Sequence, residues 1–476
     1  MDFSEKKFQV LINKSLKIIQ HWYKSTLRNN KIYHNNKVKD IRKVFDIPKN
    51  NKSDDPEKVL QYLERNLLNN SNFNPSPNYY GYITGSGNQI GIVAEFLKIA
   101  LNQNNLKWHS APANTEIEKI VIRWIANFIG YKENCGGVLV SGGAIANLMN
   151  IAVMRKIKGD NKISKKGIYG MKKMRVYVSS EAHSSIDKAM DVLGLGSQNL
   201  IKINTCENFK IQIDLLEKTI KKDIQKGYLP IGIIGIAGTT NTGSIDPLKE
   251  LGLIAKLFNL WYMIDAAYGG PASKVLKKPF NGIKDADSLL INPHKWLFVP
   301  FEVACVMVKN KKHLKDTFSL IPEYLRGGLE INDREDLMNY SIQLSKDFKA
   351  LKVWMTIKTY GVRKIKKAIL NDIRMTKYAY EFVLNSKSFV AIHKPELSIF
   401  CFQYVSDNKS ISKNSINKKI IDLIEEDGRI FLSGTIINNE HVLRINCVNH
   451  RRTKEDIKFL FMVLNELGIK AEKLLC

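Results

Sequence analysis

Short runs of apolar residues alternate with amphipathic stretches over roughly residues 115–310, and this alternation is the main structural pattern of the chain. The runs are uniformly apolar, which is typical of strands covered on both faces. We interpret as strands the runs 137–140, 175–178, 231–236, 261–264 and 288–291. The pattern predicts an α/β fold in which a mostly parallel sheet is covered by helices.

Helical spacing dominates the two ends of the chain. Residues 1–80 read as a helical arm that packs on another subunit or on the main domain, with a helix start at Asp54-Asp55-Pro56-Glu57. A long amphipathic helix from Phe348 leads to Gly361 and on towards strands near 399–402 and 442–445, a loop at 406–418 and a final helix. We therefore predict an arm (1–80), a large domain (81–370) and a small C-terminal α+β domain (371–476).

Composition indicates a globular protein without a membrane span or a disulfide framework. No stretch approaches 18 uninterrupted apolar residues, and the first residues lack the apolar segment of a signal peptide. The six cysteines have no close pair, so neither a zinc site nor a set of disulfides is expected. We expect a soluble cytoplasmic protein that holds no metal.

The formal net charge of +27 raises the question of an anionic partner. The lysines are spread along the whole sequence beside many asparagines, as in Asn29-Asn30-Lys31, and no motif of a nucleic-acid-binding fold accompanies them. A general compositional bias is the preferred explanation, and an anion-attracting surface is the alternative. We expect no nucleic-acid partner.

A lysine stands between two apolar runs in Asn292-Pro293-His294-Lys295-Trp296. The runs 286–291 and 297–301 are predicted to be buried on either side of a turn, which leaves Lys295 half buried. Burying a lysine is costly unless it is paired or uncharged. We interpret Lys295 as an amine for Schiff-base chemistry, and a surface lysine in a turn is the alternative.

Three further features follow predicted strands and supply the other parts of a pyridoxal 5'-phosphate site. The turn Ser141-Gly142-Gly143-Ala144 precedes a helical pattern and suits a phosphate, because backbone N–H groups at a helix N-terminus attract anions. Asp265 suits a pyridine nitrogen, and His183 suits stacking on the cofactor ring or contact with a substrate carboxylate. An ordinary turn, a helix cap and a structural histidine are the alternatives.

In combination, these motifs resemble the group II pyridoxal-phosphate decarboxylases. The matching segments are 141–148, 182–185, 265–270 and 292–296, and the similarity extends from about residue 75 to the strand around Arg444. The resemblance implies the type I fold of pyridoxal enzymes, which is the aspartate aminotransferase-like fold. It also implies a homodimer, formed in part by the N-terminal arm, with active sites at the subunit interface and an amino acid as substrate.

The resemblance also implies a role for each site residue. Lys295 would hold the cofactor, Asp265 would pair with its ring nitrogen and His183 would stack on the ring. The remaining cofactor-binding residues would be Gly143, Ala144 and Asn292 at the phosphate, Thr240 and Ala267 along the cofactor, and His294 beside the lysine.

Within this family the chain looks most similar to the aromatic-amino-acid decarboxylases. Trp108 and residues 112–116 resemble the segment that shapes their substrate pocket, and Tyr268 follows Asp265-Ala266-Ala267 where glutamate decarboxylases commonly have tryptophan. Tyr324 matches the tyrosine of their mobile loop, which protonates Cα after carbon dioxide leaves. The implied activity is decarboxylation of tyrosine, DOPA, phenylalanine or tryptophan to the amine.

Two other classes of function stay open. The first is a related enzyme that decarboxylates glutamate, aspartate, histidine or a diamino acid, or that forms an aldehyde; Arg444 is the candidate partner for an acidic side chain. The second is a non-catalytic protein that binds an anionic surface through its charge.

Overall fold

The computed structural model describes residues 1–26, 31–46, 53–159, 162–320 and 334–476. The chain forms two compact units. One comprises Ile83–Thr376 and His393–Phe400, and the other comprises Met1–Tyr82, Lys377–Ile392 and Cys401–Cys476. The division into an arm, a large domain and a small domain stays a prediction.

The larger unit is built on a seven-stranded sheet within the described residues. Its strands are β1 (Gly136–Val140), β2 (Met174–Ser179), β3 (Leu200–Ile203), β4 (Leu229–Ile236), β5 (Trp261–Asp265), β6 (Ser288–Ile291) and β7 (Ala304–Val308). The order is β1-β7-β6-β5-β4-β2-β3, in which β7 runs antiparallel to both of its neighbours. The pairings of β2 with β3 and β4, of β4 with β5, and of β5 with β6 are parallel.

The five strands predicted from apolar runs are confirmed, and two strands were missed. The missed strand β3 lies at the edge of the sheet and carries the exposed Lys202, so its sequence lacks the uniform apolar character of a central strand. The missed strand β7 is fully buried between β1 and β6. Its apolar sequence fitted a strand, but nothing in it indicated an antiparallel insertion.

Helices surround this sheet. They are α4 (Gln89–Leu101), α5 (Pro112–Ile129), α6 (Gly143–Lys158), α7 (Ile163–Lys166), α8 (Ser185–Val192), α9 (Ile213–Gln225), α10 (Leu248–Leu257) and α11 (Lys311–Phe318). Side chains of α6, including Met149 and Val153, join Val176, Ile234 and Met263 of the strands in one buried cluster. No helix within the described ranges has the length and apolar character needed to cross a membrane.

The other unit carries most of the remaining elements. They are α1 (Glu5–Thr26), α2 (Val38–Phe45), α3 (Pro56–Asn69), β8 (Phe389–Ala391), β9 (Ile399–Tyr404), α13 (Lys413–Asp427), β10 (Ser433–Ile437), β11 (Glu440–Asn446) and α14 (Lys454–Leu475). The strand order is β10-β11-β9-β8. The long helix α12 (Ala350–Leu384) is interrupted at Gly361, as the sequence predicts. Asp55 accepts the Glu57 N–H at 2.8 Å and caps α3, which confirms that helix start.

The loop predicted for residues 406–418 was wrong in its second half, where α13 begins at Lys413. The Ser412 hydroxyl caps this helix by accepting the Ser415 N–H at 3.1 Å. Ile416 and Ile420 then bury one face of the helix. The serines, asparagines and lysines of its first turn hid this apolar spacing in the sequence.

Arg452 ties the N-terminal residues of this unit to its C-terminal part. Its guanidinium donates hydrogen bonds to the carbonyls of Pro77, Tyr79 and Asn446 at 2.8, 2.8 and 2.9 Å. It also lies 3.8 Å from the ring centroid of Tyr80. Because a guanidinium carries several donors in one plane, a single buried side chain satisfies three carbonyls here.

Candidate active site

The motifs singled out in the sequence meet at one edge of the seven-stranded sheet. Asp265 is the last residue of β5, and Asn292 follows β6 directly. His183 lies in the loop after β2, and Gly143 begins α6 after β1. The parallel strands bring their carboxyl ends together, which is where open α/β sheets bind ligands.

A cavity of about 230 Å³ lies at this edge. The residues lining it are Gly143, Ala144, Asn147, His183, Ser185, Ile236, Gly238, Thr240, Asp265, Ala267, Tyr268, Asn292 and Lys295. Eight of the residues predicted to bind the cofactor are in this set. Lys295 is partly buried, as the flanking apolar runs predict, whereas Phe301 at the end of the second run is exposed.

Asp265 places a buried carboxylate in this cavity. Its side chain is 7% exposed. Oδ1 accepts the Ala267 N–H at 3.1 Å, and Oδ2 accepts an N–H of the Asn147 amide at 3.0 Å. These donors satisfy the buried carboxylate, and a carboxylate in contact with a pyridine nitrogen would hold a proton on that nitrogen.

The first turn of α6 and the Asn292 side chain form a site suited to an anion. Gly143 is the first residue of α6, where backbone N–H groups have no carbonyl partner inside the helix. A Cβ at Gly143 would lie 2.9 Å from Asn292 Nδ2, so only glycine lets the helix approach this amide. The Asn292 side chain is buried, and its Oδ1 has no hydrogen-bond partner among the described residues.

His294 does not line the cavity but contacts a residue that does. Its Nδ1 accepts the Val303 N–H at 3.0 Å, so the neutral imidazole carries its proton on Nε2. Nε2 lies 3.5 Å from Asn292 Nδ2. Burial lowers the pKa of His294 to about 3, and the charge of Lys295 adds to the effect. His294 is therefore a neutral side chain beside Asn292, and its contact through Nε2–H and Nδ2 joins two donors and is not a hydrogen bond. Its part in binding the cofactor stays a prediction.

Two packing contacts hold the loop that carries Lys295. A Cβ at Gly85 would lie 2.3 Å from the His294 carbonyl oxygen and 2.4 Å from that of Lys295, so the chain passes there with no space for a side chain. Trp296 is fully buried and stacks on Tyr268, with ring centroids 5.1 Å apart. Because both neighbours of Lys295 in sequence are buried, its backbone has a fixed place beside the cavity.

His183 belongs to a hydrogen-bond chain that the sequence did not reveal. Its Nδ1 lies 2.8 Å from Ser185 Oγ and accepts the Ser185 N–H at 3.1 Å. Asn147 donates to the same Oγ at 2.9 Å as well as to Asp265. The pKa of His183 is lowered, first by partial desolvation; Asp265 opposes this shift and Lys295 reinforces it.

Asn147 and Ser185 are therefore site residues to which sequence reasoning gave no role. Asn147 is an asparagine inside the apolar stretch Ala146-Asn147-Leu148-Met149, and Ser185 is the second serine after His183. A buried amide within an apolar helix face needs partners, and this was the available signal. It did not indicate which carboxylate or hydroxyl the amide would contact.

The cavity fits pyridoxal 5'-phosphate by its chemistry. It joins an anion site at α6 and Asn292, a buried carboxylate at Asp265, the small Ala267 and the amine of Lys295. Asn147 Oδ1 is a buried acceptor with no hydrogen-bond partner among the described residues, which marks it as a place for a further donor. At the anion site, the donors suited to a phosphate are the first N–H groups of α6 and the NH2 group of Asn292. These features are those required to hold a phosphate, a flat ring and a Schiff-base carbon.

Other residues predicted from the sequence lie elsewhere. Tyr324 is outside the described residues. Trp108 is not among the residues lining the cavity; its Nε1 donates to Glu116 at 3.1 Å, and the Arg334 guanidinium lies 4.4 Å from its ring centroid. Arg444 belongs to the other unit, where it is buried and donates to Ser433 Oγ at 3.1 Å.

Comparison with known proteins gives a family match. The model of the pyridoxal-dependent decarboxylase conserved domain matches residues 39–405. An aromatic-L-amino-acid decarboxylase of Bacillus atrophaeus is 33% identical over 89% of this chain and 87% of its own. A phenylacetaldehyde synthase of a Rosa hybrid cultivar is 30% identical over 82% and 80%. The crystal structure of Oryza sativa TDC with PLP and tryptamine superposes with a TM-score of 0.92 at 20% identity over 99% of both chains, which establishes the shared fold.

Replacing Gly143 with alanine is expected to weaken pyridoxal 5'-phosphate binding. The new Cβ would displace the Asn292 amide, and overpacking of this kind costs about 1–3 kcal/mol, or roughly a five- to hundredfold rise in Kd. Equilibrium dialysis of the cofactor measures the effect. Gly142→Ala is the matched control, because its Cβ has no atom within 4 Å and its backbone is extended. Equal affinities for the two variants would remove Asn292 from the phosphate site.

Proposed function

We propose that this chain, which belongs to the pyridoxal-dependent decarboxylase family, decarboxylates an aromatic L-amino acid and releases the corresponding amine. The reaction class and the cofactor, pyridoxal 5'-phosphate, follow from the family. The aromatic substrate, the roles of individual residues, the dimer and the cellular location are proposals.

One observation supports this proposal most directly. Lys295, Asp265 and His183 line the same cavity as the anion site of α6. These side chains come from four separate stretches of sequence. Burying these polar side chains beside one carboxylate costs free energy, and an apolar core would stabilise the fold better. Their convergence therefore indicates a functional site. A non-catalytic protein that binds anions through its overall charge would need none of them.

Each side chain has a separate task in the proposed reaction. When bound, the cofactor accepts into its ring the electrons released as the carboxyl group leaves Cα. The Lys295 amine holds the cofactor until the substrate amine replaces it. Asp265 keeps a proton on the ring nitrogen, and His183 covers the ring and contacts the substrate carboxylate.

Tyr324 completes the reaction in this proposal by protonating Cα. The resemblance of its loop to the corresponding loop of aromatic-amino-acid decarboxylases supports this role.

Similarity to relatives supports the aromatic substrate. The Bacillus atrophaeus protein is named for aromatic amino acids, and a tyrosine decarboxylase of Petroselinum crispum is 30% identical over 82% of this chain and 79% of its own. An aldehyde-forming reaction is the second candidate, because the Rosa relative is named a phenylacetaldehyde synthase. For an acidic substrate, the candidate Arg444 has its guanidinium engaged by Ser433.

A homodimer is the proposed assembly. Helix α4 exposes Val93, Phe96, Leu97, Ile99 and Leu101, with Leu97 at 51% and Ile99 at 70%. A cluster of exposed apolar side chains on one helix is unfavourable in water and is typical of an interface. A second copy of the chain is the occupant that the family resemblance implies.

The cytoplasm is the proposed location. All six cysteines lie within the described ranges, and none forms a disulfide. Six cysteines outside any disulfide suit a reducing compartment. Recovery of the protein from a secreted or periplasmic fraction would contradict the proposal.

Lys295→Ala is expected to abolish turnover, by on the order of a thousandfold or more, because Lys295 is the only lysine among the described residues that line the cavity. Carbon dioxide release would be measured against a panel of L-amino acids, first with the unchanged protein. Activity on tyrosine, DOPA, phenylalanine or tryptophan is expected, and activity confined to glutamate, aspartate, histidine or a diamino acid would overturn the aromatic assignment. Borohydride reduction followed by peptide mass analysis reports whether the cofactor was attached at Lys295.

Tyr324→Phe is expected to shift the product from amine towards aldehyde, because phenylalanine has no hydroxyl proton to give to Cα. Dioxygen from air would then act as the oxidant, and with water it would give the aldehyde, ammonia and hydrogen peroxide beside carbon dioxide. The two products would be separated chromatographically after reaction in air. Tyr360→Phe is the control, since Tyr360 lies in α12 and has no proposed part in the chemistry. An unchanged amine yield for Tyr324→Phe would exclude this tyrosine as the proton donor.

Leu97→Glu is expected to convert the dimer to monomer, because a carboxylate would be buried without a partner in the interface. Sedimentation velocity at micromolar concentration measures the mass. Leu253→Glu in α10 is the control, as Leu253 is 60% exposed on a helix with no proposed interface. A dimer that survives Leu97→Glu would place the interface elsewhere.

A further inference from the structure

We propose that Asn147 and Ser185 are positioning residues that hold His183 as the tautomer with its proton on Nε2, and that the charge of Asp265 sets their orientation. The proposal concerns four side chains connected by hydrogen bonds, namely Asp265, Asn147, Ser185 and His183. It rests on the proposed function only for the consequence in catalysis.

Asp265 fixes which atom donates and which accepts in this series of hydrogen bonds. An ionised carboxylate accepts hydrogen bonds and cannot donate them. The Asn147 atom 3.0 Å from Asp265 Oδ2 must therefore be the amide nitrogen. Asn147 is 1% exposed, so water offers the amide no alternative partner.

The same amide nitrogen fixes the Ser185 hydroxyl. Its second hydrogen is donated to Ser185 Oγ at 2.9 Å. Oγ thus accepts from Asn147, and its own hydrogen is left to be donated to His183 Nδ1 at 2.8 Å. Ser185 is 4% exposed, which removes competition from solvent here as well.

A second donor at His183 Nδ1 cannot be reversed. The backbone N–H of Ser185 points at Nδ1 over 3.1 Å. A backbone amide can only donate, so Nδ1 must keep its lone pair and the single proton of the neutral ring resides on Nε2. Protonation of Nδ1 would oppose this N–H with another donor and would require the Ser185 hydroxyl to turn away.

Ser185 is the first residue of α8, and the N-cap position before it is Ser184, which makes no side-chain cap. The Ser185 Oγ lies between His183 and Asn147. The hydroxyl therefore serves the loop of His183 rather than the end of the helix.

Charged side chains on several elements also shift the protonation equilibrium of the His183 ring. Asp265 at the end of β5 and Asp187 on α8 favour the imidazolium. Lys295 and Lys188 disfavour it, as does partial desolvation of the ring, and the pKa of His183 is lowered overall. The ring is thus neutral near pH 7, with one donor on Nε2.

A neutral hydrogen-bond donor suits a substrate carboxylate that must leave as carbon dioxide. An imidazolium would stabilise the substrate carboxylate as an ion pair, and this interaction would be lost when neutral carbon dioxide forms. A neutral Nε2–H orients the carboxylate by a hydrogen bond with less ground-state stabilisation. The hydrogen bonds from Asp265 to His183 would thereby couple the charge beside the cofactor's ring nitrogen to the protonation state of His183.

The test measures the tautomer and pKa of His183 by NMR in the full-length protein with ¹³C-labelled histidine, with and without cofactor. His183→Gln assigns the signal among the nine histidines. The Cδ2 shift of the unchanged protein is expected in the range of the Nε2–H tautomer. Ser185→Ala and Asn147→Leu are each expected to raise the pKa of His183 by about half a unit or more, because the Nδ1 acceptor loses its hydroxyl donor or that donor becomes free to turn.

Two further variants separate positioning from general damage to the fold. Ser185→Thr retains the hydroxyl and is expected to keep the original pKa, and Ser184→Ala removes the neighbouring hydroxyl without effect. In the holoenzyme, Ser185→Ala is expected to lower kcat about tenfold and to move the acid limb of the pH profile with the pKa of His183, and Ser185→Thr is expected to restore both.

An Nδ1–H signal in the unchanged protein would overturn the proposal. So would a pKa of His183 that stays the same in both Ser185→Ala and Asn147→Leu. The NMR measurement does not depend on turnover. An Nε2–H signal with the expected shifts in a protein that acts on no aromatic amino acid would leave this inference standing and would reject the proposed substrate.

Discussion

A negative charge buried at the end of a central strand is the constraint on which the site depends. Asp265 lies at the end of β5, in the middle of the seven-stranded sheet, and is almost fully shielded from water. A carboxylate in such a place is tolerated only when donors satisfy it. The Ala267 N–H and the Asn147 amide are these donors. The second hydrogen of the Asn147 amide is donated to Ser185, whose hydroxyl contacts His183, so the hydrogen bonds continue from Asp265 to His183.

The anion site has a different physical origin, in the backbone. Helix α6 begins at Gly143 directly after β1, so its first N–H groups face the edge where the strands end. Asn292 approaches this turn closely because Gly143 has no side chain. Local negative charge at Asp265 and a local preference for anions at α6 together match a cofactor with a ring nitrogen and a phosphate. This division explains why two structurally unrelated parts of the sheet edge contribute to one cavity.

The comparisons and the geometry bear on different questions. Similarity over most of the chain establishes the family, and with it the cofactor and the type of reaction. Relatives of similar identity carry names for amine-forming and aldehyde-forming enzymes, so the family alone does not select the product. In the proposed function, that choice depends on whether a proton is delivered to Cα after carbon dioxide leaves, and Tyr324 is the residue proposed to deliver it.

Five of the seven strands, their mostly parallel arrangement and the motifs at the sheet edge could be predicted from the sequence, because uniform apolar runs and strand-end turns are local patterns. It also located Lys295, Asp265 and His183, each marked by a polar side chain beside an apolar run. It did not give the edge strand β3, the antiparallel β7 or the start of α13 at Lys413, where solvent exposure or polar composition weakens the pattern. The fold was needed to show that Asn147 bridges Asp265 and Ser185 and that His294 lies beside Asn292. Hydrogen-bond partners distant in sequence are selected by folding, since the sequence specifies which groups need a partner but not which group lies within reach.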